Sequence, residues 1–457
     1  MKKLRVFLWI SLALMMGLLL VACGGGAAEP AGDGAETAAG EGETAVEAVE
    51  AKPVTLRVLV HQNPPMVEYM NAFNARFEAA YPNVTVNMSV VSAGDLSTVT
   101  QTRLTANDID VIDIFGFSNA AQPYMSDVTP PNWQTLIEAG LLLDITDQPF
   151  VSNYDEATIR DAGSYNGRVY AVNLGRVTYS GMFVNNDLLG EVGVSVPTTW
   201  GELVEVCEAV TAAGYECMTV GGGDGWPVFV GAYGLIGSVF PDPAALVEGL
   251  WTGSIKWNDA DTLELWEKYQ YYAQEMLEAG VTGLNHDATP VRYAAGDVAF
   301  MPTGSWQGPS VEAAEPEFDW SYVPFPGSDN AENNRYLFGK YDQGWAIAAN
   351  SPNQEAALNY VAMFSEPDNY QAFVDATGFI PTQPTAMLEG KLGADVAPYL
   401  ADFRVGYEQF WVAPKGAGQW ADGGQGASWF KPFNKWEDAA ALANQAQADL
   451  QAGLDSN

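Results

Sequence analysis

Five tryptophans sit where the chain bends on glycine or leaves an extended segment. Trp226 follows Gly221-Gly222-Gly223-Asp224-Gly225, Trp306 follows Gly304-Ser305, and Trp345 follows Gly344. Trp420 and Trp429 flank Gly423-Gly424-Gln425-Gly426. An indole presents a flat apolar face, and amide or carboxylate side chains nearby can bond hydroxyls in pairs. That combination suits a neutral ligand with C–H faces and a rim of hydroxyls. Trp306 is the first candidate and Trp226 the second. Trp345, with Asp342 and Gln343 beside it, reads equally as a ligand contact or as packing at a chain crossing. Trp420 and Trp429 read as a cleft wall or as a surface feature.

The polar candidates come from the ends of strands. Gln62 and Asn63 fall just after a first strand, and Asp113, Ser118 and Asn119 fall in or just after a third. Such positions face the crevice that open α/β sheets use for ligands. Asp113 reads equally as a structural cap, and His61 as a solvated loop residue. Catalysis has less to work with. A glycoside hydrolase needs two carboxylates at a fixed separation, and 57 Asp+Glu hide any such pair. No Gly-x-Ser-x-Gly elbow and no phosphate-binding loop occurs, and His61 and His286 are the only two histidines. No metal and no cofactor is expected.

The elements that must position these residues alternate between two periods. Val54, Leu56, Val58 and Val60 alternate as a strand does, and Met66, Met70, Phe73, Phe77 and Ala80 mark one face of a helix entered through Pro64-Pro65. Pro82-Asn83 stops that helix. Val84, Val86 and Met88 alternate again, a helix spans roughly 95–106, and Val111 to Phe115 reads as a buried strand. Strand and helix in alternation predict an α/β layer with a mostly parallel sheet. A second unit begins near residue 175, with a strand over 179–184 and a helix opened by Pro197-Thr198-Thr199-Trp200-Gly201-Glu202. Thr199 with Glu202 forms a capping-box pattern, and Gly214 is placed to end the helix. The extended run Gly167 to Gly175 reads as the crossing between the two units.

The ends and the charge set the compartment. Lys2, Lys3 and Arg5 precede an apolar run from Val6 to Ala22, and Leu20-Val21-Ala22-Cys23 resembles a lipobox. The expectation is a lipoprotein signal peptide over 1–22, lipidation at Cys23 and a disordered tether over 23–52. The remaining two cysteines, Cys207 and Cys217, read as a disulfide or as two buried thiols. A formal net charge of −37 opposes nucleic acid and anionic lipid as partners.

Several stations then match in order. They are residues 73–84, Tyr170-Ala171-Val172 with Phe183 to Leu189, Pro197 to Leu203, Ala294 to Met301 leading to Gly304-Ser305-Trp306, Val323 to Gly327, and Gly378 to Thr382. Together they resemble the family-1 extracellular solute-binding proteins, the sugar-type, maltose-binding-protein-like components of ABC importers. Asn186 departs from the family's usual Lys, and the acidic run Asp108 to Asp113 departs in a way that bears on the pocket. The resemblance implies an α/β, periplasmic-binding-protein-like (type II) fold with two α/β lobes, a hinge and an interlobe cleft. The lobes are expected over 54–172 plus 302–344 and over 175–300 plus 346–457. It implies an extracytoplasmic, envelope-anchored protein, monomeric, that delivers a small solute, a sugar, to ABC permease subunits. A surface-anchored glycoside hydrolase is the alternative reading.

Overall fold

The computed structural model describes residues 52–456. The expectations for the signal peptide 1–22, for Cys23 and for nearly all of the tether concern residues outside that range. The strands are β1 (Val54–His61), β2 (Val84–Val91), β3 (Val111–Phe115), a small hairpin of β4 (Ser164–Tyr165) and β5 (Arg168–Val169), then β6 (Ala171–Thr178). They continue as β7 (Gly181–Asn185), β8 (Glu216–Met218), β9 (Val298–Pro302), β10 (Trp320–Pro324), β11 (Phe338–Ile347) and β12 (Arg404–Val405). One sheet runs β12-β11-β3-β1-β2 with β6 also on β11; a second runs β10-β7-β9-β8.

The first sheet is built as the alternation predicts. β1 pairs in parallel with β2 and β3. Leu56, Val58 and Val60 enter one core and Leu59 the other, so both faces are covered. The helix Pro64–Ala80 buries Met66, Met70, Phe73 and Phe77, and the Asn63 side chain caps it by accepting the Met66 N–H at 3.1 Å. That face meets helices Gln354–Phe364 and Pro367–Thr377 through an edge-on aromatic cluster, with Phe73 5.1 Å from Tyr360 and 5.7 Å from Phe364. Each such ring contributes about 1.5–3 kcal/mol by burial. The acidic run 108–113 is bound into this lobe. Asp110 accepts from Arg57 at 2.7 Å and from Ser351 at 2.7 Å, and these bonds outweigh burial to hold its carboxyl below the usual range.

Neither sheet is as parallel as the sequence pattern suggests. β11 runs antiparallel to β3 and β6, and in the second sheet only β8 and β9 pair in parallel. The crossing also lies later than expected, because β6 stays on β11 as far as Thr178. Among the segments that pass between the sheets are Thr178 to Gly181, Pro324 to Phe338, and Ala386 to Leu392.

The lobe boundaries move accordingly. β10 pairs with β7, which puts 320–324 in the second lobe and not with 302–344 in the first. Helices Gln354–Phe364 and Pro367–Thr377 belong to the first lobe's core, not the second's. Cys207, on helix Trp200–Ala212, and Cys217, on β8, are joined as a disulfide with a Cα separation of 5.1 Å. Among the described residues no single helix is long and apolar enough to cross a membrane.

Helix Trp200–Ala212 starts with a variant of the expected box. Thr199 Oγ1 accepts the Glu202 N–H at 3.3 Å, but Glu202 returns to the Thr198 N–H at 2.7 Å, one residue earlier. Its far end is capped by Ala213, with Gly214 following at φ +92°. Thr199→Ala is therefore expected to cost about 1 kcal/mol, read as a lowered midpoint in guanidinium unfolding with an unchanged slope.

Candidate functional site

Two cavities lie end to end between the sheets, about 300 and 370 Å³, and share Phe115, Lys340, Asp342 and Glu408 as common lining. Together they fall within the usual range for small-molecule sites. The first cavity has an aromatic wall supplied by the second lobe. Trp226 opens helix Trp226–Gly231 directly after Gly225, whose φ of +76° turns the chain. Trp306 folds back over Gly304; a Cβ there would lie 1.8 Å from the indole, so only glycine permits the fold. The two indole centroids are 6.4 Å apart, and the His286 ring lies 4.6 Å from Trp226.

Hydrogen bonds fix how this wall faces. His286 Nε2 accepts from Trp306 Nε1 at 3.2 Å and from Gln307 Nε2 at 2.8 Å, leaving Nδ1–H directed to Asp287 at 3.2 Å. The polar edge of Trp306 is thus engaged, and its apolar face is what remains for the cavity. The loop 221–225 holds His286 as well: Asp224 accepts the His286 N–H at 2.7 Å, and a Cβ on Gly221 would sit 2.6 Å from the His286 backbone.

The first lobe supplies the opposite, polar wall. His61, at the end of β1, is buried, with Nδ1 2.8 Å from Asp113 Oδ2. Its Nε2 accepts from Gln343 Nε2 at 2.9 Å, which leaves Gln343 Oε1 buried without a partner. The floor between the cavities carries Lys340 Nζ, 3.1 Å from Asp342 and 3.2 Å from Glu408. Burial pulls this ammonium down, but the two carboxylates outweigh it and the net shift is upward. In the second cavity, burial pushes Asp422 up to about 6, although Gln425 and the Gly424 N–H hydrogen-bond to it.

Of the residues named from the sequence, Trp226, Trp306, Asn63, Asp342 and Gln343 line the first cavity. Ser118, Asn119 and again Asp342 line the second. Five line neither: Trp345, Asp113, Gln62, Trp420 and Trp429. Trp345 is 0% exposed and packs edge-on against Tyr360 and Phe364, because alternation along β11 turns it toward the helices. Asp113 is 0% exposed and acts on the cavity only through His61. Gln62 points past the cavities and bonds Asp287 at 3.2 Å, a contact between the lobes. Trp420 and Trp429 are core, in edge-on contact at 5.0 Å.

His61 corrects the reading of it as a solvated residue. The strand-end rule found the right end of β1, and the side-chain alternation then places His61 inward and Gln62 outward. Phe115, the last residue of β3, was open to the same rule. Lys340, Glu408 and Tyr179 carry no local signature, since sheet pairing and a distant turn bring them to the floor.

A cleft between two α/β lobes, walled by indoles on one side and amides on the other, defines a two-lobed binding protein of the periplasmic type. The chain belongs to the bacterial extracellular solute-binding protein family, whose sequence model matches residues 63–371. It is 24% identical over 309 residues to the multiple sugar-binding protein of Streptococcus mutans, covering 66% of this chain and 69% of that one. Its fold is similar to a solved complex of the binding protein RafE with raffinose, at a TM-score of 0.70 and 19% identity, over 88% of this chain and 99% of that one. It is also similar to the maltotriose-binding protein of Thermus thermophilus bound with maltotriose, at 0.65 and 14%, over 87% and 99%. Family membership makes this a binding protein that works outside the cytoplasm, not an enzyme, and sets aside the hydrolase reading.

The site's charge makes one prediction about stability. A carboxyl whose folded pKa is raised to about 6 stabilises the fold below its ordinary value of 3.8 and loses that contribution as pH rises through about 6. Asp422→Asn should thus be more stable than the parent at pH 7.5, by no more than about 3 kcal/mol, with the gap closing toward pH 4. Thermal melts across that range check it; a gap independent of pH would show that Asp422 titrates normally.

Proposed function

We propose that the protein captures a sugar or oligosaccharide in the interlobe cleft and hands it to the membrane subunits of an ABC importer. The paired indoles of Trp226 and Trp306, facing a polar wall of Asn63, His61 and Gln343 across one cavity, carry this reading. Sugar rings stack on apolar faces while their hydroxyls meet fixed amides and imidazoles, and this wall offers both. The adjoining second cavity extends the site enough to hold more than one ring. Ser118, Asn119 and Asp342 are among its polar lining residues. The relatives support the class: the Streptococcus mutans protein is named for multiple sugars, and the two solved neighbours hold raffinose and maltotriose.

The protein is read as a monomer held at the envelope by a lipid on Cys23, following the basic start and apolar run that precede it. Its partners are then the sugar, the permease pair and the membrane through that anchor alone.

Calorimetry with raffinose, stachyose, maltotriose and chitin oligosaccharides tests the reading. At least one should bind with thermal stabilisation following RT ln(1 + [L]/Kd) and without being consumed. Trp306→Ala should weaken that ligand by about 2 kcal/mol, roughly thirtyfold, while Trp345→Phe should leave affinity unchanged. Full affinity in both Trp306→Ala and Trp226→Ala, with melting curves confirming that they fold, would remove the indole wall from the site.

A further inference from the structure

The second cavity differs from the first in what it has left to offer. Three carboxylates line it, Asp342, Glu408 and Asp422, and Lys340 is the only Lys or Arg lining either cavity. Lys340 is held between two of the three, at 3.1 Å from Asp342 and 3.2 Å from Glu408, and lies 5.4 Å over the Phe115 ring. Among the described residues no Lys or Arg forms an ion pair with Asp422. The histidines are not free to compensate, since His61 is directed to Asp113 and His286 to Asp287.

The donors follow the same pattern. Gln425 Nε2 is engaged by Asp422 at 2.9 Å, Gln409 Nε2 by Glu408 at 3.3 Å, and Gln343 Nε2 by His61 at 2.9 Å. Of the buried side-chain atoms left without a partner, Oδ1 of Asn119 lines the second cavity, while Oε1 of Gln343, which is 1% exposed, and the hydroxyl of Tyr179, which is 2% exposed, line the adjoining first. A buried acceptor without a partner is costly, so the two amide oxygens select a ligand that brings hydrogens, whereas the Tyr179 hydroxyl can donate or accept.

Resting on the sugar-binding reading, we infer that the Asp342–Glu408–Asp422 compartment is a charge filter. It accepts the end of a sugar that presents hydroxyl or ammonium donors and turns away the same sugar bearing a carboxylate. A ligand carboxylate there would face like charges in a desolvated site, with its hydration lost and the one ammonium, that of Lys340, already held by two carboxylates. The chain's net charge of −37 adds a field of the same sign. Rejection by unpaired charge is a stronger discriminator than a small loss of contact, because the wrong ligand leaves both partners unsatisfied.

Calorimetry on the full chain tests this with a matched set. The probes are the tightest neutral sugar among raffinose, stachyose, maltotriose and chitin oligosaccharides, the same sugar with its primary hydroxyls oxidised to uronates, and the methyl ester of that uronate. The expected result is binding of the neutral sugar, at least about 100-fold weaker binding of the uronate, and an ester within about tenfold of the neutral parent. Glu408→Gln, and independently Asp342→Asn, should shrink the neutral-to-uronate ratio severalfold, whatever they do to the neutral affinity itself. A uronate that binds as well as its parent overturns the inference and leaves the sugar-binding reading standing. An ester rejected as strongly as the acid, or a ratio unmoved in both variants, makes the rejection steric and also overturns it. If no neutral sugar binds, the sugar-binding reading falls and takes this inference with it.

Discussion

One strand belongs to both halves of the molecule, and the site depends on it. β11 begins with Phe338 in the second lobe's core and ends with Trp345 and Ile347 in the first lobe's. Between those anchors Lys340, Asp342 and, at an irregularity in the pairing with β6, Gln343 line the cleft, while Trp345 is sealed behind it. A register slip of one residue would exchange these faces. The pairing with β3 and β6 on either side makes such a slip costly, with register shifts in the β6 pairing confined to the stretch from Tyr341 to Gly344. The polar floor of the cleft is therefore a by-product of how the hinge strand is held.

The two walls have different origins. The first lobe contributes residues at strand ends, where side chains project beyond the sheet, and their orientation comes from short hydrogen-bond chains such as Asp113 to His61 to Gln343. The second lobe contributes loops in which glycine allows a close approach. Gly304 lets Trp306 fold over the backbone, and Gly221 lets the loop lie against His286. Rigid positions of this kind cost little ordering entropy when a ligand arrives.

Much of the fold could be read from the chain because its signals are local. The period of two in Val54 to Val60, the helical face of Met66 to Phe77 and the Thr199 cap each appear as expected. Sheet direction and lobe boundaries could not be read, since β10 and β11 acquire their partners from residues more than a hundred positions away. The site was legible to the same extent. Trp226 and Trp306 were found because glycine marks the loops that present them, and Gln343 because it sits beside a tryptophan. Glu408 is one acid among 57, and only the turn that brings it to Lys340 distinguishes it. Trp345 shows the converse limit: flanking glycine signals close packing as readily as a binding loop.

The repeated passage of the chain between the sheets has a consequence for biosynthesis. The first lobe's sheet lacks its central antiparallel strand until residues 338–347 have been made, and its helical layer until Thr377. Neither half can mature on an emerging nascent polypeptide, because each waits for sequence that follows most of the other. Such long-range closure slows folding and leaves apolar strands unsatisfied while translation proceeds. A molecule of this connectivity is suited to being kept unfolded until synthesis is nearly complete, which is the state that an export channel requires of its cargo.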